Sequence, residues 1–118
     1  MKKENVLSTR LLKFSVGIIK FTRSLPKEPE YNVIKYQLIK SATSAGANYE
    51  EAQSASSKAD FRNKVNISLK EMSESKYWLK IIFHIYTDNH NNKKLDILIQ
   101  ESKELDNILG AIVKNTKL

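Results

Sequence analysis

Two carboxylate pairs, Glu50-Glu51 and Glu71/Glu74, and two histidines, His84 and His90, are the residues of this chain whose types could do acid, base or metal chemistry. A carboxylate pair works as acid and base only in a cleft that drives the two pKa values apart. No second pocket element accompanies either pair, so ion pairing to nearby Lys or Arg is the simpler role. A di-iron centre between helices needs inward carboxylates from all four helices and two Glu-x-x-His pairs. Here Glu71 and Glu74 are followed three residues later by Glu74 and Tyr77, and the pattern fails. With two histidines, no four-ligand set assembles at helical spacing, so no metal site and no cofactor are expected. Tyr77-Trp78 could stack nucleobases, as aromatic side chains beside basic groups do in single-strand binders. Trp78 reads better as an interface residue, because Ile81 and Ile85 continue its stripe.

The charge pattern is more informative. Twenty basic against thirteen acidic side chains give a net charge of +7. Residues 1–23 alone hold six basic groups and one acidic, whereas 24–57, 58–88 and 89–118 come to −1, +2 and +1. A local excess of this kind favours a polyanionic partner, and Arg10, Lys13, Lys20 and Arg23 are the candidate nucleic-acid-binding residues. The competing reading is a solvated face that keeps the protein in solution.

These residues need elements to position them. At 118 residues, 1–118 forms a single domain able to bury a core without staples. The absence of Cys excludes disulfides and fits a reducing compartment. No apolar run approaches the length of a membrane span, so the expected location is the cytoplasm, away from membranes. Leu7, Leu11, Phe14, Ile18, Phe21 and Leu25 recur at four-three spacing and predict a helix over 5–24. Pro26 and Pro29 break the chain, and a second helix is expected over 30–54 with Tyr31, Ile34, Leu38, Ala42, Ala45, Tyr49 and Ala52 inward. Its midsection, Ser41 to Ala47, is all small residues without Pro. One Gly with no preceding strand does not make a phosphate cradle, so this is a packing platform, with Ala42, Ala45 and Gly46 at close helix approaches. Asn48, beside the buried stripe, should find a partner on a neighbouring helix or a capping backbone group.

Ser57-Lys58-Ala59-Asp60 resembles a capping box and opens a third helix, 58–87, with Phe61, Val65, Leu69, Met72, Leu79, Phe83 and Tyr86 as its seam. Asp88 to Asn92 is a polar breaker before a fourth helix, 93–116, with Leu95, Leu98, Leu105, Ile108, Leu109 and Ile112 inward. Four helices with short connections make an all-α, antiparallel up-down-up-down four-helix bundle the most economical architecture. Two helices carry a second apolar stripe. Leu12, Val16 and Ile19 lie about 140° around the first helix from its seam, and Ile67, Trp78, Ile81 and Ile85 lie roughly opposite the seam of the third. One core cannot bury both faces, so further copies of the chain are expected to cover them. Two different patches on two helices suit a heterologous contact that closes into a ring.

Gln37-Leu38, Ser41-Ala42-Thr43-Ser44, Gly46-Ala47-Asn48, Glu51-Ala52, Ser57-Lys58-Ala59-Asp60-Phe61, Lys70-Glu71 and Tyr77-Trp78-Leu79 together resemble the signature of a bacterial family. It is the four-helix bundle family whose founding members are encoded in intervening sequences of large-subunit ribosomal RNA genes. The resemblance implies a left-handed bundle, a ring-like homopentamer and no enzymatic activity. Accessory variability proteins of diversity-generating retroelements are similar in fold, and they engage nucleic acid and a reverse transcriptase through basic pentamer surfaces. The expected function is therefore a non-enzymatic oligomeric scaffold. Its partners are copies of itself, RNA or DNA, and a reverse transcriptase or other nucleic-acid-associated protein. The alternative is a protein-protein interaction module without direct nucleic-acid contact.

Overall fold

A computed structural model describes residues 5–86 and 92–118. Among them every regular element is a helix: α1 (Val6–Thr22), α2 (Pro29–Ala52), α3 (Lys58–Ile85) and α4 (Lys93–Asn115). The starts follow from capping chemistry. Asn5 Oδ1 accepts the Ser8 amide at 3.1 Å, and Asn92 Oδ1 accepts the Leu95 amide at 3.0 Å, each satisfying a donor that has no partner within its helix. Pro29 opens α2, where its missing N–H costs nothing. At α3 the Ser57 hydroxyl accepts the Asp60 amide at 3.0 Å. The Asp60 carboxylate reaches back to the amide of Ser56, one residue earlier than a capping box with Glu would reach. The helices stop earlier than their patterns suggest, α1 at Thr22 and α2 at Ala52, because the last turns tighten: Ser24 N–H bonds Phe21 O and Ala55 N–H bonds Ala52 O. Of the breaker Asp88 to Asn92, only Asn92 is described; residues 88–91, with His90, and the expected last residue of α3, Thr87, lie outside the described residues.

One core joins the four helices, with α2 packed between α1 and α3 and α4 between α3 and α1. Leu11, Phe14, Ile18, Phe21 and Leu25 are buried from the α1 side, and all seven expected α2 residues, Tyr31 to Ala52, are buried with Ser41 added. The seam of α3 differs from its expectation. Val65, Ser68, Met72, Ser75, Leu79 and Ile82 face the core at strict three-four spacing, whereas Phe83 is 39% exposed and Leu69 only partly buried. On α4, Ser102 joins Leu95, Leu98, Leu105 and Leu109 inside, and Ile112 packs at the margin.

The serines are inside because α2 offers them a bare backbone. Ser68 Oγ donates to Ala45 O at 2.6 Å, Ser15 Oγ to Ala42 O at 3.1 Å, and the Ser41 and Ser75 hydroxyls meet at 2.7 Å. A side chain this short reaches a neighbouring helix's carbonyl only where the two backbones are close. Asn48 does not take part, contrary to expectation: its amide donates to Ser44 O and Oγ on its own helix, at 2.9 and 3.1 Å. Contact pairs also run in opposite chain directions, Asn5 with Tyr49 and Ser15 with Ala42, then Glu51 with Lys64 and Ser41 with Ser75.

Ala45→Leu should overpack the α2 seam and cost about 1–3 kcal/mol, and Met72→Ala should cost about 2–5 kcal/mol. Urea unfolding followed by circular dichroism reads both. A midpoint unchanged by Ala45→Leu would mean that α1 and α3 do not close on α2.

Candidate nucleic-acid interface

The four candidate cations of the N-terminal region do not share one surface. Arg10 is turned into the bundle's own ion pairs: Nε donates to Glu101 Oε2 at 3.0 Å, and Nη2 donates to Glu101 Oε1 at 2.6 Å and Glu104 Oε1 at 3.2 Å. The fork matches the carboxylate in a bidentate pair. The Glu101 hydrogen bonds raise the guanidinium pKa above its ordinary value, and desolvation pulls only partly the other way. Arg10 is therefore a clamp between α1 and α4 and not a free ligand for phosphate.

Lys13 and Lys20 are exposed and seven residues apart, so they share a sector. Neither has an acidic partner among the described residues. Lys13 borders a shallow groove between α1 and α4 with Gly17, Ile97 and Gln100. Gly17 lets the helices approach there, since a Cβ on it would stand 3.2 Å from Leu98 Cδ2. Arg23 belongs to a different row. Leu12, Val16, Ile19 and Arg23 follow one another at four-three-four spacing, so Arg23 ends the second apolar stripe of α1.

That stripe borders a groove of about 590 Å³ between α1 and α2, lined by the small residues Ser15, Thr43, Gly46 and Ala47 and, toward the start of α1, by Ser8, Thr9 and Glu50. Leu12 is 64% and Val16 41% exposed; Ile19 is half-buried. A Cβ on Gly46 would make ordinary contact, 3.7 Å from Leu11 Cβ and Ser15 Oγ. The stripe of α3 is less bare than expected. Ile67 and Ile85 are exposed, at 37% and 41%, but Trp78 and Ile81 are half-buried against the core. Trp78 Nε1 donates to Glu74 Oε2 at 2.9 Å, and Tyr77 meets the indole edge to face, with centroids 5.3 Å apart.

The residues that suggested chemistry are dispersed. Glu51 pairs with Lys64 at 3.1 Å, Glu74 serves Trp78, and His84 is exposed beside Phe83. No group of His, Asp and Glu that could hold a metal occurs among the described residues. No described helix is long and apolar enough to cross a membrane. Ion pairing was expected for Glu51, but the ion pairs made by α4 were not: besides Arg10, Lys76 bonds Asp106 at 2.8 Å, and Asp106 also accepts the Ser73 hydroxyl at 2.7 Å. Partners some 30 to 94 positions apart leave no trace in a periodic pattern.

Helices joined by ion pairs and serine hydrogen bonds, with Lys13 and Lys20 exposed and two partly bare apolar stripes outside, define an all-helical protein. The chain belongs to the 23S rRNA-intervening sequence protein family, whose model matches residues 3–111. It is similar to a crystal structure of a protein of unknown function from the S23 ribosomal protein family of Bacteroides thetaiotaomicron VPI-5482. That similarity has a TM-score of 0.81 and 34% identity, and covers 93% of this chain and 100% of the other. No curated protein matches the sequence.

Arg10→Met should lower stability by about 1 kcal/mol or less, because the pair is partly exposed and screened. The loss should shrink between 50 mM and 1 M salt, on the order of the fall in Debye length from above 10 Å to 3 Å. Any fall in nucleic-acid affinity should be small and vanish at high salt, since it comes only from the uncovered Glu101 and Glu104 charges. A large drop in that affinity with stability intact would return Arg10 to the binding surface.

Proposed function

We propose that this protein is a non-enzymatic oligomeric scaffold whose basic surface binds nucleic acid and holds it near a nucleic-acid-processing protein such as a reverse transcriptase. The observation that carries the reading is the pair Lys13 and Lys20, exposed on one sector of α1 without an acidic partner among the described residues. Arg10 occupies the adjacent Glu101 and Glu104, which would otherwise offset their field. The family's link to ribosomal RNA intervening sequences supports RNA as a ligand, with DNA as the other polyanion of the same chemistry. The bundle runs up-down-up-down, supported by the opposed order of the contact pairs along neighbouring helices, and is left-handed, as the family resemblance implies. It assembles as a ring-like homopentamer in the cytoplasm; the exposed Leu12 and Val16 support assembly, and the family resemblance supplies the number.

A second reading rests on those same apolar residues: a partner protein covers them and the basic excess is incidental. Salt separates the two, because phosphate neutralisation makes affinity fall steeply with salt and an apolar interface does not. Lys13→Glu with Lys20→Glu should weaken binding to single-stranded RNA and DNA oligonucleotides. It should also lower the slope of log K against log salt by roughly 1–2, with the helical circular dichroism unchanged. A wild type with no affinity for either oligonucleotide at low salt would give the second reading its place. Leu12→Glu should yield a folded monomer of 13.6 kDa by light scattering, since a charge at that exposed position harms only an interface. A wild type already monomeric at micromolar concentration would remove the ring.

A further inference from the structure

We infer that the apolar row of α1 in one copy docks antiparallel against the apolar row of α3 in the next, with Arg23 facing Glu74 across the contact. This rests on the self-assembly proposed above and adds which faces meet, in which direction and in what register.

Both rows border α2. On α1, Leu12, Val16 and Ile19 edge the groove floored by Thr43, Gly46 and Ala47 of α2. On α3, Lys64, Ile67, Glu71, Glu74, Trp78, Ile81 and Ile85 form one row at three-four spacing, and its first member bonds Glu51 of α2. The two rows are different surfaces of one chain, so their pairing is heterologous. A floor of small residues beside Leu12, Val16 and Ile19 leaves room for large side chains such as Trp78 and the isoleucines. The Trp78 N–H is already satisfied by Glu74 within its own chain, so covering the indole strands no donor.

The register follows from spacing and charge. The α1 row Leu12, Val16, Ile19, Arg23 is spaced four-three-four. Within the α3 row from Lys64 to Ile85, four registers match that spacing, two parallel and two antiparallel. The parallel register that begins at Ile67 sets Glu71 and Glu74 on Val16 and Ile19. The one that begins at Glu74 sets it on Leu12 and sets Arg23 on Ile85. The antiparallel register that begins at Trp78 again sets Glu74 and Glu71 on Val16 and Ile19. Each of these three buries a carboxylate against an aliphatic side chain with no cation to pair it, which is unfavourable. The remaining register sets Leu12 on Ile85, Val16 on Ile81, Ile19 on Trp78 and Arg23 on Glu74, apolar to apolar and cation to anion. It also gives Arg23, which has no partner in its own chain among the described residues, a carboxylate whose Oε1 accepts no bond there.

Because the chain has no Cys, single introduced cysteines report the register without background. Leu12→Cys and Ile85→Cys proteins, mixed after nuclease treatment and oxidised, should form a mixed disulfide well above background. A mixture of Ile19→Cys and Ile85→Cys proteins, whose cysteines this register holds two row positions apart, should form it only at background level. Cross-linking confined to the second mixture, or absent from the first while light scattering still shows an oligomer, overturns the interface and leaves self-assembly standing. A wild-type monomer removes both. Arg23→Glu and Glu74→Arg should each lower the average mass at micromolar concentration by half or more, and combining them in one chain should restore it. A double variant no better than the worse single one would dissolve the Arg23 to Glu74 pairing.

Discussion

The hydroxyls of Ser15 and Ser68 reach the main-chain oxygens of Ala42 and Ala45, and that reach sets how far α1 and α3 stand from α2. Each bond contributes about 0.5–1.5 kcal/mol net, but a buried hydroxyl left without it would cost about 1–3 kcal/mol. The geometry is therefore enforced more by what separation would strand than by what contact adds. Ala42, Ala45, Ser41, Ser68 and Ser75 are all fully buried, so the seam admits no larger side chain without pushing the helices apart.

Small residues inside have a consequence outside. A helix that gives Ser68 and Ser75 to the core has fewer inward places for its bulky residues, and α3 carries Ile67, Trp78, Ile81 and Ile85 on its flank instead. Likewise α1 turns Ser15 toward α2 and leaves Leu12 and Val16 exposed. The bundle's tightest seams and its most apolar outer surface are thus two aspects of one allocation of side chains along the same helices.

This allocation explains which parts of the fold were readable from the chain alone. The stripes of α1 and α2 were, because leucines, isoleucines, aromatics and alanines occupy most inward positions there, with only Ser15, Thr22 and Ser41 polar. The stripe of α3 was readable only in part, at Val65, Met72 and Leu79. A hydrophobic pattern passes over Ser68 and Ser75 and is drawn to Leu69 and Phe83, one residue to the side, although Ile82 is the buried one. The same blindness affected the basic residues: Arg10, Lys13, Lys20 and Arg23 look alike in sequence, and only tertiary contacts divide them into a clamp, a free pair and the end of an apolar row. Asn48 was misread for a related reason, since Ser44 one turn away satisfies its amide without any help from a neighbour.

The two sides of the bundle are finished with different chemistry. Where α4 meets its neighbours the outer seams are closed by polar contacts: Arg10 with Glu101 and Glu104, Lys76 and Ser73 with Asp106, and Arg62 Nε donating to Val113 O. Such contacts tolerate water beside them, and they consume local carboxylates that would otherwise repel a phosphate. Flanking α2, the outer rows are apolar between Leu12 and Ile19 and between Trp78 and Ile85, apart from residues that face elsewhere. Surfaces of that kind gain only by leaving water, at about 25 cal/mol per Å² removed. On the function proposed above, a protein copy on the α2 side and a polyanion on the α1 and α4 edge would use adjoining faces, because Lys13 and Lys20 lie beside the row Leu12, Val16, Ile19 and not on it.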